Sequence, residues 1–274
     1  MILFNQKRRI RKMAVMAMAA FMFLGACIPA EAAGVTTEAA LLPVSYSEAY
    51  TKVNVNTMTG TKTYNVFNQK MFGRSKRDYI PAHGCAVCSL TTVLSGCRTA
   101  YTAYTPEMTR KILEKKVFGK SAWKRNYRKS ARGQMPLSLY GISRILKKCG
   151  VSNRYVSSFS SDKKVEMILK KHLMKGMPVV IETNNHRQKN GRISSKYDIK
   201  WAGSRHTMVL LGMSDQDKVI VADSATRKWA GRNQRIKLAD LSDLIAHMIP
   251  HSPSGKSFYY NGNKCYSGYI LVNN

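Results

Sequence analysis

Apolar residues in the first two-thirds of the chain recur every three or four positions, which is the spacing of one helix face. The clearest such stretch, residues 137–149, ends at Gly150, a residue type that commonly terminates helices. Thr105 and Pro106 are a favoured capping residue and a favoured first-turn residue. The pattern predicts helices at residues 85–94, 105–117, 137–149 and 162–175.

After Gly176 the pattern changes to short apolar runs of strand length. Strands are predicted at residues 179–181, 206–213, 218–222 and 268–272, with a further helix at 240–248 between the last two. Helices first and an antiparallel sheet second is an arrangement typical of the α+β class. We therefore predict N-terminal helices packed on a C-terminal antiparallel sheet.

The N-terminus has the composition of a secretory signal peptide. Basic residues between Lys7 and Lys12 precede an uncharged apolar stretch, and residues 30–32 fit a signal-peptidase site. A competing hypothesis treats residues 24–27 as a lipoprotein motif, in which Cys27 would carry a lipid. Both hypotheses predict a secreted or cell-envelope-associated protein. The predicted organisation is a signal peptide at 1–32, a linker or lead-in arm at 33–63 and one domain at 64–274.

The chain is strongly basic, with 45 Lys and Arg against 15 Asp and Glu and a formal net charge of +30. Residues 1–32 carry five basic residues and one acid, so the remainder would have a net charge of +26. Such a charge favours anionic partners, and for an exported protein these are cell-wall polymers or a lipid surface. The basic residues are scattered and form no recognisable nucleic-acid module, so we predict no specific nucleic-acid binding.

Five cysteines follow the predicted signal peptide, and an odd number in an exported chain leaves at least one thiol unpaired. Cys85 follows Gly84 at the start of a predicted helix, where helix N–H groups and the helix dipole stabilise a thiolate. Cys85 is therefore the candidate nucleophile. Two alternatives stay open: Cys85 forms a disulfide while Cys88 or Cys97 is the free thiol, or Cys85 and Cys88 form a thiol–disulfide exchange motif. The pairing of the remaining cysteines, Cys149 and Cys265 included, also stays open.

Activation of a cysteine requires an imidazole, and His206 begins a predicted strand 121 residues after Cys85. Asp223 ends the next predicted strand, so adjacent antiparallel strands would place its carboxylate beside the imidazole. The amide of Gln69 is a candidate donor to an oxyanion. No cofactor is required for this chemistry. His83 has no second ligand pair at zinc-site spacing, so no metal site is predicted.

The other histidines, His172, His186, His247 and His251, lie on basic helical or loop stretches and are predicted to face solvent.

Several of these motifs together resemble the papain-like cysteine peptidases, in the stand-alone branch similar to bacteriocin-processing (double-glycine leader) peptidases. The resemblance covers residues 64–274 and is carried by Asn68-Gln69, Gly84-Cys85, residues 176–181, 206–209 and 221–224. It implies a papain-like fold in which Cys85 is the nucleophile, His206 the general base, Asp223 its orienting group and Gln69 the oxyanion donor. The chain departs from the family pattern after the nucleophile, where residues 86–88 read Ala-Val-Cys rather than Gly-Pro-Thr.

The function that follows from these patterns is that of an exported cysteine peptidase acting on a peptide or protein substrate through an acyl-enzyme. Two alternatives remain: a cell-wall peptide hydrolase or transpeptidase on the same fold, and a catalytically inactive basic module that binds surfaces. The protein is expected to be a monomer.

Overall fold

The computed structural model describes residues 49–72, 80, 84–112, 139–156, 161–183, 186–189, 192–197, 206–225, 235–248, 258–260, 263–265 and 268–273. By its internal contacts the chain divides into residues 1–32 and 33–274, and all described residues belong to the second unit. The predicted signal peptide and Cys27 lie outside the described residues, so the prediction of export stays a prediction.

The helices of the described residues are α1 (Cys85–Cys97), α2 (Pro106–Ile112), α3 (Leu139–Lys148), α4 (Asp162–Leu173) and α5 (Leu241–His247). The strands are β1 (Tyr50–Thr57), β2 (Gly60–Phe67), β3 (Asn153–Val156), β4 (Val179–Thr183), β5 (His186–Lys189), β6 (Arg192–Tyr197), β7 (His206–Met213), β8 (Val219–Ala222), β9 (Ile236–Ala239), β10 (Phe258–Tyr260), β11 (Asn263–Cys265) and β12 (Tyr269–Val272). Short 3-10 turns lie at Gln69–Met71 and Thr99–Tyr101.

Six strands form the central sheet in the order β3-β12-β4-β7-β8-β9, and each neighbouring pair is antiparallel. Successive side chains of β7 point to opposite faces. Val209 and Leu211 belong to the core shared with α1 and α3, whereas Met208 and Leu210 belong to the core shared with α4 and α5. Because both faces are covered, the strands read as continuous apolar runs rather than as an alternating pattern.

Strands β1 and β2 form an antiparallel hairpin in register from Tyr50 opposite Phe67 to Thr57 opposite Gly60. Val53 and Val55 have no exposed surface and lie in the same core as α1. Residues 50–63, which the sequence led us to interpret as part of a linker or lead-in arm, therefore pack as a hairpin against the folded body. Alternate residues of β1 are buried, which makes the hairpin part of the core. This pattern is too short and too polar to be recognised in the sequence.

The predicted α+β class is confirmed, because helices pack on an antiparallel sheet. One difference is that a hairpin precedes the helices. Within the described part of the chain, none of the helices has both the length and the apolar character needed to cross a membrane.

Candidate active site

The candidate nucleophile is the first residue of α1. Gly84 is the N-cap, and its carbonyl accepts from the Cys88 N–H at 2.8 Å. A Cβ at position 84 would lie 2.4 Å from the carbonyl oxygen of Ile80, to which the Gly84 N–H donates, so only glycine fits this approach. Cys85 therefore lies in the first turn, where N–H groups without helical partners and the positive end of the helix dipole stabilise an anion.

The first turns of α1 pack against the start of β7. Ser89 Oγ donates to the Thr207 carbonyl at 3.1 Å, and the Cys85 thiol is within hydrogen-bonding reach of the His206 ring. Burial alone would raise the pKa of the Cys85 thiol, but the hydrogen bond and charge of His206, with hydrogen bonds from Thr207, lower that pKa below its ordinary value. The environment therefore favours a thiolate beside an imidazolium.

His206 and Asp223 meet at one end of the neighbouring strands β7 and β8. His206 Nε2 lies 2.7 Å from Asp223 Oδ1, which leaves Nδ1 as the ring nitrogen that faces Cys85. His206 is 4% exposed and Asp223 is fully buried, so solvent ions screen the pair little. Burial would lower the pKa of His206, but the charge and hydrogen bond of Asp223, assisted by Cys85, raise it to about 10.

Asp223 has a second cationic partner, Lys237 on β9, which the sequence analysis did not identify. Lys237 Nζ donates to Asp223 Oδ2, and Oδ1 accepts a further bond from the Ala225 N–H at 2.8 Å. Burial would raise the pKa of the Asp223 carboxyl, but His206 and then Lys237 hold it well below its ordinary value. A four-residue strand that carries a lysine gives no clear sequence signal, and only its pairing with β8 brings Lys237 to the site.

Gln69 lies in the turn that follows β2 and is hydrogen-bonded to Ser224, the residue after Asp223. The Gln69 N–H donates to the Ser224 carbonyl at 3.1 Å, and Ser224 Oγ donates to Gln69 Oε1 at 3.0 Å. Because the amide oxygen accepts this bond, the NH2 end of the side chain is the part that can act as a donor. The structure thus connects Gln69 with the cluster of Cys85, His206 and Asp223.

Cys85 and Cys88 are both free thiols, and their surroundings differ. Cys85 is 9% exposed and Cys88 is not exposed at all, so an external molecule reaches only Cys85. Burial, and after it the neighbouring Cys85, raise the pKa of Cys88 well above its ordinary value, against a hydrogen bond from Ser224. The structure therefore supports neither a Cys85–Cys88 disulfide nor Cys88 as the reactive thiol.

Two histidines differ from the prediction that they face solvent. His172 is half-buried with Nε2 3.0 Å from the Val272 carbonyl, and burial lowers its pKa. His247 is 1% exposed, and its Nδ1 lies 2.8 Å from the Asp243 carbonyl. The prediction for these two side chains is wrong, because the helices that carry them pack on other elements of the fold.

The side chains of His83, His186 and His251 lie outside the described part of the chain. Among the side chains that the structure describes, no group of three or more His, Cys, Asp or Glu residues is arranged to hold a metal ion.

A reachable thiol beside an imidazole that a buried carboxylate orients is suited to nucleophilic attack on a carbonyl followed by proton transfer. No curated protein sequence matches this chain. The model of the peptidase C39-like family matches residues 61–245, more than half of the chain, and this range includes Gln69, Cys85, His206 and Asp223. The chain therefore belongs to the peptidase C39-like family, which agrees with its resemblance to the papain-like cysteine peptidases.

Proposed function

We propose that the protein is an exported cysteine peptidase that uses Cys85 as its nucleophile, His206 as the general base and acid, and Asp223 to orient the imidazole. The hydrogen-bonded series from thiol to imidazole to carboxylate carries this proposal. In that series the pKa of the thiol is lowered and the pKa of the imidazole is raised. Membership of the peptidase C39-like family supports the reaction class.

In the proposed reaction the Cys85 thiolate attacks the carbonyl carbon of a peptide bond, and the carbonyl electron pair moves to oxygen. The Gln69 NH2 group and the Cys85 backbone N–H at the helix start are the proposed donors to this oxyanion. Collapse of the intermediate breaks the C–N bond, and the imidazolium proton of His206 passes to the leaving amine. Water then attacks the thioester, gives a proton to His206 and releases the acid and the thiolate. The scheme uses no cofactor.

A second candidate keeps these groups and changes the substrate. The net charge of +26 that remains without residues 1–32 favours association with anionic cell-wall polymers or lipid surfaces, which makes wall peptides the second substrate class. With water as the acceptor of the acyl group the enzyme would cut wall peptides, and with an amine it would cross-link them. The third alternative, a basic module without catalysis, does not account for a buried carboxylate and imidazole aligned on a reachable thiol.

Activity is tested with a library of quenched fluorogenic peptides and, separately, with purified wall peptides. We expect hydrolysis by the wild-type protein and by Cys88→Ala, and none by Cys85→Ala. Cys88→Ala is the matched control because it removes the neighbouring thiol on the same helix while leaving the reachable one. Equal activity of wild type and Cys85→Ala, or loss of activity in Cys88→Ala alone, would rule out the proposed nucleophile. Hydrolysis of wall peptides alone would select the second candidate.

Export has its own test, the N-terminal sequence and mass of the protein recovered from an expressing bacterium. Cleavage near Ala33 is expected for the signal peptide, whereas a lipid-bearing Cys27 would select the lipoprotein hypothesis. An intact N-terminus on cytoplasmic protein would contradict both hypotheses.

A further inference from the structure

Asp223 is held from both sides, although its orienting role needs only one contact. One oxygen, Oδ1, accepts from His206 Nε2 at 2.7 Å and from the Ala225 N–H at 2.8 Å. The other, Oδ2, accepts from Lys237 Nζ. With both oxygens bonded, the carboxylate cannot rotate away from the imidazole without breaking the contact with Lys237.

The backbone places Lys237 for this contact. Lys237 pairs with Val221 on the neighbouring strand, and Asp223 lies two residues further on, so the two side chains are diagonal neighbours across β8 and β9. The Asp223 N–H donates to the Arg235 carbonyl at 2.8 Å, which extends the pairing beyond the end of the strand. Arg235, directly before β9, therefore holds the main chain of Asp223, and Lys237 in β9 holds its side chain.

The Lys237–Asp223 ion pair is more deeply buried than two other lysine–carboxylate pairs of the described residues. The Lys237 side chain is 17% exposed and that of Asp223 not at all, whereas the two surface pairs, Lys170–Asp217 and Lys218–Asp240, have side chains 39% to 68% exposed. Surface pairs contribute little to stability, and a buried pair costs desolvation of both charges. A largely buried lysine against the fully buried carboxylate that orients a reactive imidazole therefore indicates a role in the site.

We propose that Lys237 is a positioning residue of the catalytic site, which fixes Oδ1 of Asp223 on His206 and shares the charge of the carboxylate between two cations. The inference rests on the proposed function, because it concerns the same imidazole. A carboxylate that faced the imidazole alone would stabilise the imidazolium more strongly and make it a poorer acid for the leaving amine. Lys237 thus keeps the pKa of His206 below the value that Asp223 alone would give.

The titratable groups of the described residues that act on Cys85, His206 and Asp223 lie on α1, β7 and β9 and directly after β8. His206 meets Asp223 and the thiol of Cys85, and Cys85 has the thiol of Cys88 beside it. Asp223 meets His206 and Lys237. The effects of a change at Lys237 are therefore expected in the pKa of His206 and in the reactivity of Cys85.

The experiment compares wild type, Lys237→Met, Lys237→Arg and Lys218→Met in the full chain. The measurement is the rate of alkylation of Cys85 by iodoacetamide from about pH 5 to about pH 11, mapped by mass spectrometry, with brief exposures at the alkaline end. A neutral reagent is chosen because the charge of the protein would attract an anionic one. Lys218→Met is the matched control, since it removes a lysine from an exposed ion pair with Asp240. Lys218 directly precedes strand β8, which pairs with β9.

In Lys237→Met we expect the alkaline limb of the profile, which is the change in alkylation rate that accompanies loss of the imidazolium proton, to move up by about one pH unit, so that it is only about half complete at pH 11. Peptide hydrolysis should fall by about tenfold, because the imidazolium becomes a weaker acid and the carboxylate less well held. Lys237→Arg keeps the charge and should stay within about 0.3 pH unit of wild type. Lys218→Met should match wild type.

A purely structural role for Lys237 predicts a different result. If the site only loosens, the pKa of Cys85 and the pKa of His206 both return towards their ordinary values, so the alkaline limb moves down. That outcome, an unchanged limb in Lys237→Met, or an equal shift in Lys237→Arg would overturn the proposal. If Lys237→Met does not fold, Lys237→Gln, which keeps an N–H donor without a charge, is judged by the same criteria. A wild-type profile without an imidazole-dependent limb would instead remove the proposed function, and the role of Lys237 with it.

Discussion

Substitution of Asp223 by Asn gives the sharpest test of how this site is charged, because the change removes a buried negative charge and almost preserves the shape. In the wild type the pKa of His206 is raised from 6.5 to about 10, and Asp223 is the largest of the contributions that raise it. Without the carboxylate, burial lowers that pKa against only the thiolate of Cys85, and the Lys237 ammonium then faces a neutral amide. We therefore expect the pKa of His206 in Asp223→Asn to be about 7.

The expected change in Cys85 reactivity follows from the protonated fraction of the His206 ring. At pH 8 an imidazole with a pKa of about 10 is about 99% protonated, and one with a pKa of about 7 is about 9% protonated, a difference of about tenfold. The thiolate of Cys85 depends on that imidazolium, so its excess reactivity at pH 8 should fall by about the same factor. The alkaline limb should move from about pH 10 to about pH 7.

The assay is the pH dependence of Cys85 alkylation by a neutral reagent, with each modified cysteine identified by mass spectrometry. Asp243→Asn is the matched control, because it removes a carboxylate whose Oδ1 lies 3.6 Å from Nδ1 of another buried histidine, His247. The control should leave the Cys85 profile unchanged. An alkaline limb that stays near pH 10 in Asp223→Asn would refute the assignment of Asp223 as the group that charges His206.

Four further predictions concern the frame around the site. Gly84→Ala should slow the alkylation of Cys85 and lower the unfolding free energy by about 2 kcal/mol in urea titrations, because its Cβ would overlap the Ile80 carbonyl. Ser224→Ala should reduce kcat by about tenfold with little change in KM, since Gln69 loses a bond to its amide oxygen, and an unchanged kcat in Gln69→Ala would exclude Gln69 as the oxyanion donor. Val53→Ala should cost about 2 kcal/mol in the same titrations, whereas Leu238→Ala, at a side chain 37% exposed, should cost much less; equal costs would contradict the packing of the hairpin in the core. The melting temperature of Cys85→Ala should fall as pH rises above about 6.5, because a His206 whose pKa is raised on folding stabilises the folded state fully only below its unfolded pKa; the substitution removes the opposing pH dependence of the Cys85 thiol, whose pKa is lowered on folding, and the fall should be absent when Asp223→Asn is added.

The candidate residues themselves were accessible from the sequence because each stands at an element boundary with a local signal. Cys85 follows a glycine at a helix start, His206 opens a continuous apolar strand, and Asp223 follows another. These signals arise from neighbours in the chain. That they meet in space follows from the antiparallel pairing of β7 and β8 and from the packing of α1 on β7.

Lys237 and the β1–β2 hairpin were not accessible in the same way. Strand β9 has four residues and only one that is fully buried, so its pattern does not differ from that of a loop. The residues between the inward-facing valines of β1 are polar or only partly buried. Both elements are strands because another strand pairs with them, and such pairing leaves little trace in local composition.

The amino-acid sequence by itself determined the α+β class and the candidate site residues, because helix starts, apolar periods and a cysteine after a glycine depend on residues that are close along the chain. Only the tertiary structure decided which thiol is reachable, which nitrogen of His206 faces Asp223 and which lysine holds the second carboxylate oxygen. Those features depend on burial and on contacts between residues from 14 to 120 and more positions apart, where low dielectric and strand register set the charges.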